Sequence, residues 1–289
     1  MIYSDLHCDT VTRCFEKKES IIDATGHINT YKSKQLSEHR QCFALFVPDS
    51  KKGEPAFSYL KKLVEFYKTE KEKLKDTNIK SVLTVENGAA LGGSAENVDY
   101  LSENGVKMMT LTWNGENELA YGAACDTGGL KKFGRIVIEK MEQKGIYIDV
   151  SHLNEKSFYD VAEFSKTPLV ASHSNCFSLV PHRRNIRDNQ IKLIIESKGL
   201  MGLCFHSPFL SVKGQSNFEA IYRNIFHVLS LGGEDIICFG SDFDGGDIVS
   251  ELSSFQKVKN LYGYLKGRGL DERILEKIFY SNAQRLFEF

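Results

Sequence analysis

Short, nearly unbroken apolar runs recur along the chain at residues 1–6, 42–47, 79–85, 106–113, 146–150, 168–171, 200–205 and 236–239, with longer polar or amphipathic stretches between them. Continuous apolar runs, as opposed to alternating ones, suit strands covered on both faces, as in a parallel sheet. The intervening stretches have helical character. Residues 54–77 are Lys-rich and apolar at Leu60, Leu63, Val64 and Tyr67, the spacing of one buried helical stripe. Residues 134–144 repeat that logic with Ile136, Val137 and Met141, and Gly145 is placed to end the helix. Asn154, Asp188 and Asn217 are N-cap candidates for helices reaching residues 164, 198 and 231. Strand then helix, eight times over, predicts a (β/α)8 TIM barrel formed by residues 1–289 as one domain. A doubly wound open sheet would carry a Gly-rich phosphate turn after the first strand, and here that turn reads His7-Cys8-Asp9.

Composition narrows the partners more than the fold. With 289 residues, 42% of them hydrophobic, the chain can bury a large core. Lys+Arg number 37 against 38 Asp+Glu, a net charge of -1 that argues against nucleic acid and anionic membrane surfaces as partners. Asp5 interrupts the N-terminus before an apolar signal segment forms, no apolar run approaches a membrane span of ~18 residues, and residues 285–289 are no lipid-anchor signal. A cytoplasmic location is therefore expected. Seven cysteines without a CxxC pair agree with it, since an odd set of isolated thiols reads as reduced and not as a disulfide frame.

The chemistry collects where the strands end. In such a barrel the C-terminal ends of the strands form the active face. After strand 1 come His7 and Asp9, which a two-residue period aims at one side; strand 3 ends in Glu86, strand 5 leads to His152, strand 6 to His173 and strand 8 to Asp242 and Asp244. Each alone has a structural explanation, as a cap, a turn former or a hydrogen-bonded core histidine. Three histidines with Asp9, Glu86 and Asp242 on one rim together predict a metal site. The N/O donor mix with no thiolate set suits Zn²⁺. Five ligands exceed one tetrahedral ion and suit two, with the carboxylate of Glu86 as bridge, His7 and Asp9 completing one ion and His152 and His173 the other.

Taken together, His7-Cys8-Asp9, Val85-Glu-Asn-Gly88, Asp149-Val-Ser-His152, Ser172-His173-Ser174, Arg183-Arg184-Asn185, Gly240-Ser-Asp-Phe-Asp-Gly245 and Asn282-Ala-Gln-Arg285 resemble the membrane dipeptidase (renal dipeptidase, peptidase M19) family, in the family's order and over nearly the whole chain. The resemblance implies a (β/α)8 barrel similar to the amidohydrolases, a binuclear zinc centre on those five ligands, and hydrolysis of dipeptides, often with a D-residue at the C-terminal position. It also implies a homodimer. Secreted, lipid-anchored members carry signals missing here, so the chain looks like a bacterial, cytosolic relative.

A water held by two dications is acidified towards neutrality. Asp242, nearer the strand end than the turn-forming Asp244, is expected to take its proton and return it to the leaving amine. Arg184 is expected to bind the substrate carboxylate through its guanidinium fork. The chain departs from the family where a histidine is expected after strand 4. It has Trp113 and Asn114 there, and Asn114 is the candidate replacement contact. His206, after strand 7, is read as either a pocket-lining or a structural residue. The Gly-rich loop 114–129 is either a lid or a disordered connection, and His27, His39, His182 and His227 are read as surface residues. A related binuclear amide hydrolase, β-lactamase- or deacetylase-like, is the alternative function, and a non-enzymatic binding barrel the remote one.

Overall fold

The computed structural model describes residues 1–210 and 217–289. Each apolar run forms a strand: β1 (Ile2–Cys8), β2 (Glu38–Phe46), β3 (Ile79–Glu86), β4 (Val106–Thr110), β5 (Tyr147–Asp149), β6 (Leu169–Ala171), β7 (Leu200–Leu203) and β8 (Ile237–Phe239). Neighbouring strands pair in parallel, and β8 returns to β1 through Phe239 opposite Asp5, which closes a TIM barrel. A helix follows every strand: α1 (Thr10–Lys17), α2 (Glu54–Leu74), α3 (Asn97–Glu103), α4 (Lys132–Gln143), α5 (Glu155–Phe164), α6 (Asp188–Glu196), α7 (Asn217–Ser230) and α8 (Phe255–Gly267).

Closure divides the apolar side chains into two bodies. Leu6, Cys42, Val82, Met108, Val170, Leu200 and Cys238, one from each of seven strands, fill the barrel interior together with Ala283 and Phe287 from the C-terminal segment. The opposite faces, including Phe43, Leu83, Val85, Met109, Ile148 and Phe239, pack against the helical stripes Leu60, Leu63, Val64, Val137 and Met141. Truncating a buried Leu, Ile or Met among these to Ala is a change worth about 2–5 kcal/mol. All seven cysteines are free, and no helix among the described residues is long and apolar enough to cross a membrane.

Element boundaries shift for identifiable reasons. The β2 strand begins four residues before its apolar run, because Glu38–Gln41 pair with Ile2–Asp5 of β1 through backbone groups, to which hydropathy is blind. The predicted cap at Asn154 is present, its Oδ1 accepting from Ser157 N at 2.8 Å. Asp188 instead is the first residue of α6, and the cap position is Arg187, whose N–H donates to the Gln190 side chain at 2.8 Å. Asn217 likewise opens α7 and does not precede it. Gly145 follows α4 with φ +67°, the left-handed turn that ends a helix at low cost in glycine.

His39 corrects its reading as a surface residue. It is fully buried in β2, with Nδ1 at 3.0 Å from Ser33 Oγ and Nε2 at 3.0 Å from Gln41 Oε1. Burial pulls its pKa down to about 4, against a smaller upward pull from Gln41. The unfolded chain therefore binds a proton near pH 6.5 that the folded chain refuses, and stability falls as pH drops from about 6.5 towards 4. Urea unfolding of wild type and His39→Gln across that interval tests this. The variant is expected to show the shallower loss, and equal slopes would refute the assignment.

Candidate metal centre

Parallel closure brings the C-terminal ends of β1, β3, β5, β6 and β8 to one rim. His7 is the penultimate residue of β1, and the β1–β2 register carries a bulge between Asp5 and Cys8. Bulges re-aim side chains beside active sites. Asp9 lies past the strand, at the cap position of α1, yet its Oδ2 stands 3.4 Å from His7 Nε2. Glu86 is the last residue of β3. Its Oε2 is 3.5 Å from His7 Nε2, while its Oε1 is 2.9 Å from His152 Nε2 and 3.9 Å from His173 Nε2. Asp242 Oδ1 lies 3.9 Å from His7 Nε2 on the other side. The rings of His7 and His173 stack with centroids 3.9 Å apart. The six residues predicted at the strand ends thus meet in one buried cluster, and Glu86 turns one oxygen to each pair.

The cluster is held by backbone in uncommon conformations. Asn87, His152 and Asp242 have φ of 83°, 69° and 63°. Such left-handed geometry costs a non-glycine residue about 1–3 kcal/mol and gathers at functional sites. Hydrogen bonds hold these turns in place: Asp242 N donates to His7 O at 3.2 Å, and the Asn87 amide reaches Val47 O at 2.9 Å.

Electrostatics show what the protein alone leaves unmet. Burial would lower His7, but Glu86, Asp9 and Asp242 carry it up to about 10. Burial, with Asp9 next, drives Glu86 well above the usual carboxylate range, and burial lifts Asp242 to about 7 against the pull of His7. His152 and His173 are pushed well below the usual histidine value by burial and by the nearby positive charge of Arg184 and His7. His7 Nε2 and Asp9 Oδ1 are buried without a hydrogen-bond partner. Three crowded carboxylates, two neutral imidazoles and unpartnered donor atoms are the complement of bound cations. The residues fit a metal group, and His7 with Glu86 and His173, or with Asp9 and Asp242, are each close enough to share an ion.

The centre opens into a cleft of about 360 Å³ bordered by Asp9, Glu86, His152, Asp242 and, from the predicted substrate set, Trp113, Asn114, Arg184 and His206. Arg184 is 5% exposed; its Nε has no partner, and among the described residues its guanidinium makes one hydrogen bond, a 3.4 Å contact with His173 O. His206 lines the cleft and also accepts from Asp247 N through Nδ1 at 2.8 Å, so both readings of it apply. Asn114 points inward as well: its Oδ1 lies 3.0 Å from His152 Nδ1. Loop 114–129 is neither disordered nor free, being tied by Gly122 N to Gly115 O, Ala124 N to Asn114 O, and Ala123 N to His152 O at 2.7–2.9 Å. Asp244 accepts from Thr10 Oγ1 at 2.6 Å and from His27 N at 2.7 Å. His27 is accordingly half-buried against Asp244, a correction to its reading as a free surface residue, while His182 and His227 are half-buried in contacts outside the cluster.

Residues with no role assigned from the sequence are Asp5, Phe46, Phe209 and Cys204, together with Asp149 and Ser172, which appear there only as parts of motifs. Phe46 and Phe209 line the cleft, and the Cys204 thiol lies 3.9 Å from Asp242 Oδ2. Asp5 and Asp149 are carboxylates inside otherwise apolar strands, which is the signal that could have flagged them.

A parallel (β/α)8 barrel with a buried His/carboxylate cluster on its C-terminal rim defines the class of metal-dependent hydrolases. The sequence model of the membrane dipeptidase family, peptidase family M19, matches residues 1–289, and the chain belongs to that family. As such it is a hydrolase of the metallo-dipeptidase type. It is 32% identical over 224 residues, 74% of this chain and 83% of the relative, to an uncharacterised Klebsiella pneumoniae protein from the pqqA 5′ region. The structure is similar to that of the dipeptidase AC, an M19 metallopeptidase, with a TM-score of 0.91, 25% identity and coverage of 99% and 97%. Its fold also matches a Rhodobacter sphaeroides metallopeptidase liganded with a phosphinate mimic of the dipeptide L-Ala-D-Ala, with a TM-score of 0.91, 24% identity and coverage of 99% and 98%.

The rim also depends on one glycine. A Cβ on Gly240, just past β8, would lie 1.7 Å from Ser172 O, so β8 can approach the His173 turn only without a side chain there. Gly240→Ala is expected to lower stability by about 1–3 kcal/mol. Thermal unfolding measures it, and an unchanged midpoint would show that the close approach is no constraint.

Proposed function

We propose that the protein is a binuclear zinc dipeptidase that accepts a D-residue at the C-terminal position of its substrate. The observation that carries this reading is Glu86, whose two oxygens face separate ligand pairs, His7 with Asp9 and His152 with His173. The donor set of imidazole and carboxylate without thiolate favours Zn²⁺. Two such ions, when bound, supply an acidified water and a Lewis acid for the scissile carbonyl.

The remaining work falls to this chain's own groups. Asp242 borders the cleft with its Oδ1 3.9 Å from His7 Nε2, and it takes up and returns the proton that the leaving amine requires. Arg184 is a buried guanidinium with unused donors facing the cleft, suited to a substrate carboxylate held bidentately. That contact selects dipeptides, because a longer peptide has no terminus at that place. Asn114 holds His152 in orientation, and Trp113 and His206 wall the cleft. The volume of about 360 Å³ fits a small ligand, and the L-Ala-D-Ala mimic in the Rhodobacter sphaeroides relative supports the substrate stereochemistry. We take residues 1–289 as one catalytic domain in a cytoplasmic homodimer, on the free thiols and the family resemblance.

Metal analysis of wild type and Glu86→Ala, with hydrolysis of Gly-D-Ala and Gly-L-Ala on the same preparations, tests the centre. Two zinc ions per chain and dipeptide cleavage, both lost in the variant, are expected. Two ions with neither dipeptide cut would move the activity to other amides, such as lactams or acetylated amines, and no bound metal would overturn the reading.

Steady-state kinetics separate the other roles. Asp242→Asn is expected to lower kcat by about 10²–10⁴-fold with little change in KM. Arg184→Ala is expected chiefly to raise KM for free dipeptides and to leave C-terminally amidated ones unaffected. Equal effects on both substrates would refute the carboxylate contact.

A further inference from the structure

Four donors converge on the buried carboxylate of Asp149, at the end of β5. Its Oδ1 accepts the backbone N–H of Ser151 at 2.9 Å and of Ser172 at 3.0 Å; its Oδ2 accepts the hydroxyls of Thr110 at 2.7 Å and Ser172 at 2.6 Å. A serine has one proton to give. Because Ser172 gives it to Asp149, its oxygen is left to accept from its other close partner, His173 Nδ1, at 2.7 Å. His173 is thereby the Nδ1–H tautomer, and its bare Nε2 faces the centre, 2.8 Å from His152 Nε2 and 3.9 Å from Glu86 Oε1.

We propose that Asp149 is a positioning residue which, through the Ser172 hydroxyl, locks His173 in the Nδ1–H tautomer and so presents an unprotonated Nε2 to the metal centre. This rests on reading His173 as a metal ligand. Asp5 supplies the contrast. It clamps the β1–β8 joint as Asp149 clamps β5–β6, accepting from His7 N at 3.1 Å and Ser241 N at 2.9 Å, but its other oxygen takes the Tyr3 hydroxyl and no imidazole relay follows.

The substitution Asp149→Asn inverts the relay. Its amide oxygen still accepts from the two backbone N–H groups, so the strand joint survives, and its NH₂ now faces the two hydroxyls. Ser172 Oγ then accepts from the amide and turns its own proton to His173 Nδ1. The ring is left as the Nε2–H tautomer, with a proton where a metal must bind. Outer hydrogen-bond partners of metal-bound histidine contribute about 10–100-fold in affinity.

Long-range ¹H–¹⁵N correlation spectra of metal-free, ¹⁵N-histidine-labelled protein report the tautomer directly, with the His173→Asn spectrum providing assignment. Chelator competition on the same samples gives the zinc affinity. Wild type, Ser172→Thr and Asp5→Asn are expected to show His173 as Nδ1–H. Asp149→Asn is expected to show it as Nε2–H and to bind the more weakly held zinc 10–100-fold less tightly. Ser172→Ala is expected to give mixed tautomers. The proposal is overturned if Asp149→Asn keeps the Nδ1–H tautomer, even with weakened zinc, or if the tautomer changes and affinity does not. A wild type that binds no zinc would sink the metal reading by itself, and the spectra of the metal-free protein would still decide whether Asp149 sets the tautomer.

Discussion

Asp9, Glu86 and Asp242 are packed within a few ångströms of one another and of three imidazoles at the dry mouth of the barrel. Burying several carboxylates together is unfavourable unless positive charge joins them. His7 answers part of that demand by taking up a proton, while His152 and His173 are held neutral. The pocket therefore carries a deficit of positive charge. That deficit accounts for the raised proton affinity of Glu86 and Asp242, and for orphaned atoms such as Asp9 Oδ1.

Much of the surrounding structure serves to keep that unfavourable arrangement from relaxing. The left-handed residues Asn87, His152 and Asp242 have backbone conformations that would collapse in isolation. They persist because the adjoining strands over-determine them, with Asp5 tying β1 to the β8 turn and Asp149 tying β5 to the β6 turn. The two clamps use the same chemistry, a carboxylate accepting one N–H from its own strand and one from the next. Apolar packing alone lacks the directionality to fix turns at this precision, and the hydrophobic layers accordingly lie below and around the rim.

The cleft adds a second asymmetry. Arg184 is a cation buried beside the carboxylate-rich pocket, with almost none of its side-chain donors used by the described residues. Held there, it polarises the cleft from a positive wall to a negative floor, the pattern that orients a small zwitterion. The Trp113–Asn114 pair is tied into the cleft lining: Trp113 packs against Phe46, and Asn114 reaches His152.

Sequence periodicity alone was enough for the barrel, because a strand buried on both faces must be apolar and a helix laid over it must carry one apolar stripe. The residue types that meet on the rim, and their order along it, were legible for a related reason: charged and imidazole groups at the ends of apolar runs stand out against them. Polar residues whose partners are remote in sequence were not legible. His39 looks like a surface histidine until Ser33 and Gln41 are seen to satisfy it, and loop 114–129 looks loose until its backbone bonds are counted. Nor could spacing show that Asp149, Ser172 and His173 form a relay. Hydrophobicity is a property that each residue brings with it, whereas the direction of a hydrogen bond, and with it the protonation of an imidazole nitrogen, exists only once the barrel has closed and set the partners face to face.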